Sequence, residues 1–569
     1  MTTKQTPPTS RVISRVISSR KIFPATPRPA GRPTVTRLSI IDATVVRFTP
    51  CAAVWLYEPS EASQNGALLL DNLELSLRQT LDSYPHFAGQ VRWITKDEIR
   101  PGDANPRHLG RPVVSYGTEN DPGVGLVLAE HDRDLDSVVP AAEERGTTRK
   151  VWVATDFPQD ELLPGCELAF ESGTARSGGL PGLAAQVTRF RCGGFAVGVK
   201  AAHCLADAAC LLQFVHSWAG RSRLLFGEGR TTTTTPQPQG GQPSRPEPLF
   251  DPELLDRHAG LAGEAEPDAA RVAQARSLPM HRHDWWATDA PGYPAWAAAS
   301  TSLTKPGGDE LRALRLSPSS HPPWPTWDAP APVEHVQIRF GADEVARMKA
   351  AAQAQAQTQA QASLLGVTAQ RQQQPPPMMI SRLDALLAHL WILINRARRV
   401  QDTEEPVYMD ITLGLRSRVD PPLPDGFLGS PILLGYVERS GAEVCSDATT
   451  MGAVALSIRE MISLFTPGAV ASHLYDAAHE VSPQRLWQAF LGQRHTIVTS
   501  WTRTGAYEVD FLGSGLRPRY VQGKMPRMDG ILQVMDLGEG NGDYDVSLCL
   551  EREATGRLLA DEMLRAYER

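Results

Sequence analysis

The chain has 569 residues, of which 41% are hydrophobic and 21% are charged, a balance typical of soluble globular proteins. Its formal net charge is −7 at pH 7 and no long block of one sign occurs, so nucleic acid is not predicted as a partner. No apolar run approaches the ~20 residues that a membrane-spanning helix needs, so no membrane span is predicted.

The cysteine usage and the N-terminal composition bear on the cellular compartment in which the protein is expected. Seven cysteines are spread from Cys51 to Cys549 without a C-x-x-C pair, which predicts neither a disulfide framework nor a structural zinc site. Residues 1–21 are basic and lack acidic residues, a composition shared with transit peptides. We favour the alternative of a frayed tail that leads into a strand around residues 12–23. The expected protein is a cytoplasmic monomer.

The first part of the chain is predicted to mix strands with helices. A strand-like run covers residues 34–58, and leucines spaced three or four apart then predict a helix that ends at Tyr84-Pro85. Further strands are predicted at residues 87–93, 113–116, 124–129 and 187–199. After Asp207 the apolar spacing becomes helical, so His203 and Asp207 stand at a strand-to-helix turn. Such a turn can aim a side chain into a cleft.

Residues 222–330 mix proline, glycine, glutamine and charge without a sustained period. We predict here a low-complexity crossover linker, mostly without a core, between domains at 1–221 and 331–569. Within it, the two histidines of His281-Arg282-His283-Asp284-Trp285-Trp286 have a spacing that could suit a metal. The adjacent tryptophans favour a local packing anchor instead, and no metal is predicted.

The second part of the chain repeats the same mixture. A strand through Val336 is followed by a helix that runs into an Ala/Gln-rich insertion at 350–377, and a second amphipathic helix follows Ser381. Later elements are strands at 408–413, 497–501, 530–535 and 546–550 and a helix at 557–567. The pattern predicts an α/β fold of two similar-sized domains, each a mixed sheet flanked by helices, with the site between them.

His203-Cys204-Leu205-Ala206-Asp207 is the only H-x-x-x-D sequence in the chain. On this motif and on further stretches, the chain resembles the BAHD acyltransferases, acyl-CoA-dependent enzymes of plant and fungal specialised metabolism. The further stretches are residues 38–42, 84–89, 186–190, 384–391, 416–424, 499–501 and 507–515. The homopolymer tracts resemble a fungal member. The resemblance implies a chloramphenicol-acetyltransferase-like fold with the active site in an interdomain tunnel.

The resemblance also implies roles for individual residues. His203 is the expected general base, which takes a proton from the acceptor without forming an acyl-enzyme. Asp207 is the expected structural brace, paired with Arg416 or Arg418, a choice that the sequence leaves open. Thr499 and Trp501 resemble oxyanion-stabilising positions, and plain core packing is the alternative for Trp501.

Two departures from the family pattern concern the motifs. Ala208 follows Asp207 where the family usually has glycine, and Leu512 shifts the D-F-G-x-G match by one residue. The residues of this second motif are expected to be structural: Asp510, Gly513 and Gly515. Cys204 could suggest a thiol nucleophile, but its place in the motif resembles a filler position.

The function that the resemblance implies is acyl transfer from acyl-CoA, a co-substrate, to a hydroxyl of a small secondary metabolite, with no permanently bound cofactor. Contacts to CoA stay unassigned because no glycine-rich phosphate loop is present. Three alternatives stay open: N-acylation of an amine, a condensation-type domain and an inactive binding protein. Condensation domains carry two consecutive histidines at the start of a similar motif, whereas Ala202 precedes His203 here.

Overall fold

The computed structural model describes residues 14–26, 31–99, 109–171, 176–227, 246–260, 266–302, 304–365, 378–446, 450–538 and 542–568. The strands are β1 (Ser14–Ile22), β2 (Thr34–Arg37), β3 (Cys51–Tyr57), β4 (Gln90–Trp93), β5 (Pro112–Tyr116), β6 (Val124–His131), β7 (Val151–Val153), β8 (Leu183–Phe190), β9 (Phe195–Ala201), β10 (His283–Asp284), β11 (Val333–Phe340), β12 (Pro406–Gly414), β13 (Ile432–Ser440), β14 (Leu486–Trp487), β15 (His495–Ser500), β16 (Tyr520–Gly523), β17 (Ile531–Asp536) and β18 (Tyr544–Glu551).

The helices are α1 (Ile40–Thr44), α2 (Glu61–Gln64), α3 (Gly66–Leu81), α4 (Ala142–Gly146), α5 (Gln159–Leu162), α6 (Ala208–Gly227), α7 (Glu253–Arg257), α8 (Ala269–Arg276), α9 (Ala295–Ser302), α10 (Gly308–Ala313), α11 (Ala342–Leu365), α12 (Arg382–Ala397), α13 (Gly441–Cys445), α14 (Thr450–Leu464), α15 (Pro467–His479) and α16 (Arg552–Ala560).

Two large mixed sheets organise the described residues. The first has the strand order β1-β6-β8-β9-β3-β16 and the second has the order β13-β12-β15-β17-β18-β11-β7. The sheets exchange strands, because β16 of the second half pairs with β3, whereas β7 of the first half pairs with β11. The predicted mixed α/β fold is confirmed. The domain limits at 1–221, 222–330 and 331–569 stay predictions, and these two strands cross the predicted division.

The first half is built around β9, whose seven residues are all buried between β8 and β3. Helices α3 and α6 pack on this sheet, and the indole N–H of Trp218 in α6 donates to the Leu73 carbonyl of α3 at 3.0 Å. The leucine spacing that predicts α3 brings Leu73, Leu77 and Leu81 into the same core. A rigid strand and a packed helix therefore flank the turn that carries His203.

Three predicted elements are wrong in part. The stretch 38–42 is not strand, because Ser39 caps α1 and Asp42 completes the capping box. The start of the predicted strand 87–93 is a 3-10 helix, Pro85–Ala88, and the strand begins at Gln90. The closing helix begins at Arg552 and ends at Ala560, with a separate 3-10 turn after Asp561. Side-chain caps decide the first and the third of these boundaries, at Ser39 and at Glu551 and Asp561.

The crossover segment has more structure than a low-complexity linker. Its described residues include β10 and α7 to α10, and its Trp285 and Trp324 form a cluster with Phe490 of the second half. Tryptophan rings stabilise such a cluster because each buries a large apolar area. The prediction of a local packing anchor fits this cluster, whereas the prediction of a segment mostly without a core does not.

Two helical features bear on the other sequence predictions. Helix α11 continues from its predicted start into the Ala/Gln-rich insertion up to Leu365, and residues 366–377 lie outside the described residues. In the described chain no single helix has the length and apolarity to cross a membrane. One pair bent by 65°, Met451–Leu464 with Pro467–His479, meets that test by length and composition only.

Candidate active site

The turn between β9 and α6 places His203 at the edge of an interdomain cavity. The backbone N–H of Ala202 donates to the Gly182 carbonyl at 2.8 Å, and that of Leu205 to the Ala202 carbonyl at 2.8 Å. The His203 ring meets the Phe48 ring edge to face at 5.4 Å between centroids. His203 lines the cavity, as the strand-to-helix pattern predicts.

Asp207 pairs with Arg416 and not with Arg418. The two nitrogens Nη1 and Nη2 of Arg416 donate to Oδ2 and Oδ1 of Asp207 at 2.5 and 3.0 Å. Oδ1 also accepts the backbone N–H of Cys210 at 2.9 Å, so Asp207 caps the start of α6. The Asp207 backbone N–H donates to the Gly429 carbonyl at 3.1 Å. The pair therefore joins the two halves directly behind the turn.

The segment around Gly429 also brings Ser430 to the histidine. Ser430 Oγ lies 3.1 Å from His203 Nδ1, and the Ser430 backbone N–H donates to Asp42 Oδ1 at 2.6 Å. Gly429 has a φ of +141°, and a Cβ there would lie 3.1 Å from Asp42 Oδ1. Glycine thus allows the close approach. Sequence reasoning missed Ser430, and the resemblance at residues 38–42 is the signal that pointed near Asp42.

Burial shifts the titration of the two groups beside this contact. It lowers the pKa of His203 below its ordinary value of 6.5, against smaller opposing effects of a backbone hydrogen bond and of Asp207. It raises the pKa of Asp42 to about 6, although hydrogen bonds from Ser39 and Ser430 oppose the rise. The histidine is therefore neutral near pH 7, the form that can accept a proton.

Thr499 and Trp501 border the same cavity as His203. Thr499 lies near the end of β15, in parallel register with Gln533 of β17. The Trp501 backbone N–H donates to the Val534 carbonyl at 2.8 Å, which holds the chain just after the strand. The structure thus brings both residues to the cavity that His203 enters from the other half.

The second motif lies outside the cavity lining. Both carboxylate oxygens of Asp510 accept backbone N–H groups, from Leu512 at 2.9 Å, Gly513 at 3.0 Å and Gly515 at 3.0 Å. Both glycines have a φ of +73°, which glycine tolerates and other residues rarely adopt. The Leu512 N–H also donates to Asp510 within this turn. The one-residue shift of the D-F-G-x-G motif therefore leaves the hydrogen bonds of the loop intact.

Cys204 lies behind the histidine and not in the cavity. It is buried among apolar side chains, and burial raises the pKa of its thiol. A thiol held in its protonated form is a poor nucleophile. Its surroundings match the expected filler position.

The cavity has a volume of about 1130 Å³ and is lined by both halves of the chain. Arginine side chains border one part of it: Arg382, Arg418 and Arg459. Tryptophans border another part: Trp285, Trp296, Trp327 and Trp487. A pocket of this size accommodates small-molecule substrates.

A model of the transferase family matches residues 160–268 and 311–561, more than half of the chain. The chain belongs to the BAHD acyltransferases. This acyltransferase is 26% identical to acyltransferase AFT15-1 of Alternaria alternata, over 81% of this chain and 79% of that one. It is 24% identical to acyltransferase abl6 of Leptosphaeria maculans, over 87% and 85%. The solved TRI101 of F. graminearum, complexed with coenzyme A and deoxynivalenol, matches with a TM-score of 0.60 at 16% identity, over 93% and 98%.

In this BAHD acyltransferase, the cations of the cavity are a feature that sequence reasoning missed. Arg459 donates to Asp384 Oδ2 at 2.8 Å from Nε and at 2.5 Å from Nη2. Arg418 has no carboxylate partner within the described residues, and burial together with repulsion from Arg459 lowers its pKa. Ser381, which caps α12, borders the same cavity. No phosphate-loop motif marks these residues, because they come from three separate elements.

Proposed function

We propose that this enzyme transfers an acyl group from acyl-CoA to a hydroxyl of a small secondary metabolite, with His203 as general base and without an acyl-enzyme. The observation that carries the proposal is the contact between His203 Nδ1 and Ser430 Oγ, which lie 3.1 Å apart. The imidazole of His203 borders a cavity that both halves of the chain line. A hydroxyl is the acceptor that needs a base most, because it attacks weakly until its proton is being removed.

The contact with Ser430 supports the tautomer of His203 that carries its hydrogen on Nδ1, which is the form that a general base requires here. With Nδ1–H donating to Ser430 Oγ, the lone pair of Nε2 is left to accept the acceptor's proton. Asp207 does not serve as the partner of the imidazole, because Arg416 binds both of its oxygens. Its role is to hold the turn. The oxyanion of the tetrahedral intermediate would be stabilised by the Thr499 hydroxyl and the Trp501 indole N–H.

The arginine wall, formed by Arg382, Arg418 and Arg459, supports binding of the CoA phosphates. Arg418 offers a guanidinium without a carboxylate partner in the described chain, and it borders the same cavity as Ser381 and Asp384 at the start of α12. A helix N-terminus and an arginine both favour a phosphate. TRI101, which has the same fold, is known in complex with coenzyme A. The tryptophans of the cavity favour an acceptor that is mostly apolar.

The test is release of free thiol from acetyl-CoA by the purified protein, in the presence of a panel of alcohols and amines. We expect thiol release that depends on an alcohol acceptor and a product that is an ester. Release only with amines would establish N-acylation instead. A condensation-type reaction would require a carrier-bound acyl donor, and an inactive binding protein would release no thiol with any member of the panel.

We expect the acidic limb of the kcat/KM profile to inflect below pH 6.5. The base acts in its neutral form, and burial lowers the pKa of His203, so protonation sets in at lower pH than for a free imidazole. The rate at pH 6.5 therefore stays above half of its plateau. The measurement is kcat/KM from pH 4.5 to 8 with a non-titrating acceptor, and an inflection above pH 6.5 would contradict the assignment.

Arg418→Ala is expected to raise KM for acetyl-CoA about tenfold and to leave kcat nearly unchanged. The guanidinium would bind a phosphate that does not take part in the reaction, so its loss removes ground-state and transition-state binding alike. Arg494→Ala is the control, because Arg494 makes an exposed ion pair with Glu405 and does not line the cavity. Equal KM values for Arg418→Ala and the parent enzyme would refute the phosphate contact.

A further inference from the structure

A second group of titratable side chains lies outside the cavity lining, between the crossover segment and the second sheet. Asp410 of β12 is fully buried, and its Oδ2 lies 3.0 Å from Nδ1 of His495 on β15. Its Oδ1 lies 3.1 Å from Nε2 of His281, which precedes β10 in the crossover segment. The strands β12 and β15 pair in parallel with Tyr408 opposite His495, so Asp410 and His495 share one face of the sheet.

The contact between His281 and Asp410 is not a hydrogen bond, although the atoms are close. Nε2 of His281 and Oδ1 of Asp410 are both buried, and neither atom has a hydrogen-bond partner among the described residues. Buried polar atoms nearly always have a partner, so two orphans side by side need an explanation. Two buried donor atoms that lie 3.1 Å apart without pairing suit two groups that bind a third atom.

The rings that surround the group hold the histidines in fixed orientations. His281 stacks on Tyr436 at 4.4 Å between centroids and on His283 at 4.8 Å. His495 stacks on Tyr408 at 4.8 Å. Stacked rings restrict rotation of the imidazoles, which fixes their donor directions before any ligand binds. Such preorganisation is what a tight metal site requires.

The donor atoms of His281, Asp410 and His495 lie within 4.8 Å of one another. A Zn²⁺ ion binds imidazole nitrogen and carboxylate oxygen at ~2.0–2.1 Å, so two of its ligands lie ~3.3–3.4 Å apart in tetrahedral geometry. The carboxylate oxygens of Asp410 already lie 3.0 and 3.1 Å from the two histidines, and side-chain shifts of up to about 1 Å would bring all three donors onto one ion. Two imidazoles with one carboxylate favour zinc or another divalent transition metal over calcium and magnesium, which prefer oxygen.

We propose that His281, Asp410 and His495 bind one Zn²⁺ ion that fixes the crossover segment to the second sheet. The role is structural, because none of the three side chains lines the cavity that holds His203. The ion would link three segments that are distant in sequence, next to the β10–β14 pair. This site goes beyond the sequence prediction of no metal at His281, and it does not depend on the proposed acyl transfer.

The experiment uses the full chain, treated with a chelator, dialysed and titrated with Co²⁺ as a spectroscopic substitute for Zn²⁺. We expect one Co²⁺ per chain with visible d–d absorption, and a melting temperature that rises on addition of Zn²⁺. Asp410→Asn and His495→Gln, which keep side-chain size, are expected to weaken Co²⁺ binding at least tenfold. His389→Gln is the control, since His389 is also buried but lies on α12 and does not belong to the group.

Absence of Co²⁺ uptake by the wild-type chain would overturn the proposal without reference to any variant. Uptake that Asp410→Asn and His495→Gln leave unchanged would place the ion elsewhere and would overturn it as well. The alternative is a buried network in which Asp410 accepts hydrogen bonds from two imidazoles, and it predicts no Co²⁺ absorption and no response of the melting temperature to Zn²⁺. Near-ultraviolet circular dichroism of each variant checks that it is folded.

Discussion

His203→Ala is expected to lower kcat/KM for acyl transfer by about 10²–10⁴-fold, the contribution typical of a positioned general base. The side chain borders the cavity and its Nδ1 is held by Ser430, so its removal takes away the proton acceptor and little of the buried core. Thiol release from acetyl-CoA, measured with the acceptor that the panel identifies, gives the rate. The free energy of unfolding should change much less than the rate.

The control for this variant is His321→Ala, because His321 is an exposed histidine away from the cavity lining. It should keep the parental rate. Turnover by His203→Ala equal to that of the control would remove the base assignment. Formation of an acyl-enzyme on Cys204, detected by mass spectrometry of the intact protein, would replace the proposed mechanism by covalent catalysis.

Arg416→Met is expected to destabilise the fold by about 3–5 kcal/mol, the cost typical of leaving one partner of a buried ion pair without the other. Arg416 binds both oxygens of Asp207, whose side chain is only 7% exposed, and also donates to the Gly429 carbonyl at 3.3 Å. Urea denaturation measures the loss. Asp207→Asn should lower stability and yield in the same direction, because the amide no longer neutralises the guanidinium.

The double variant Asp207→Asn/Arg416→Met separates pairing from other effects of the substitutions. It should lose less stability than the sum of the single variants, because neither partner is left charged and alone. If the stability losses of the two single variants were additive, the interaction of Asp207 with Arg416 would contribute no coupling free energy. A variant of Asp207 with parental stability and no activity would make Asp207 a participant in the chemistry and would contradict the structural role.

Much of the fold could be predicted because its long elements have local signals. The leucine spacing predicts α3, and Ser381 with Asp384 marks the start of α12 as a capping box. The short elements could not be predicted in the same way. β7 has three residues and β16 has four, too few for a period, and their pairing depends on strands that are distant in the sequence.

The same distinction applies to the site. His203 could be identified because it stands in a motif. The partner of Asp207 could be narrowed to two arginines of one loop, Arg416 and Arg418. The choice between them depends on a contact across 209 residues, and the Ser430–Asp42 contact spans 388. No local pattern encodes such distances. The arginine wall and the His281–Asp410–His495 group were missed for this reason.

The exchange of β7 and β16 between the two large sheets has a consequence for how substrates reach the site. Hinge-like opening of the halves would break the pairs of β16 with β3 and of β7 with β11, which occupy the sheet edges. Exposed edges of this kind are costly and prone to aggregation. We therefore expect the two halves to stay joined while ligands enter and leave, so the dimensions of the cavity itself limit the size of the ligands that it admits.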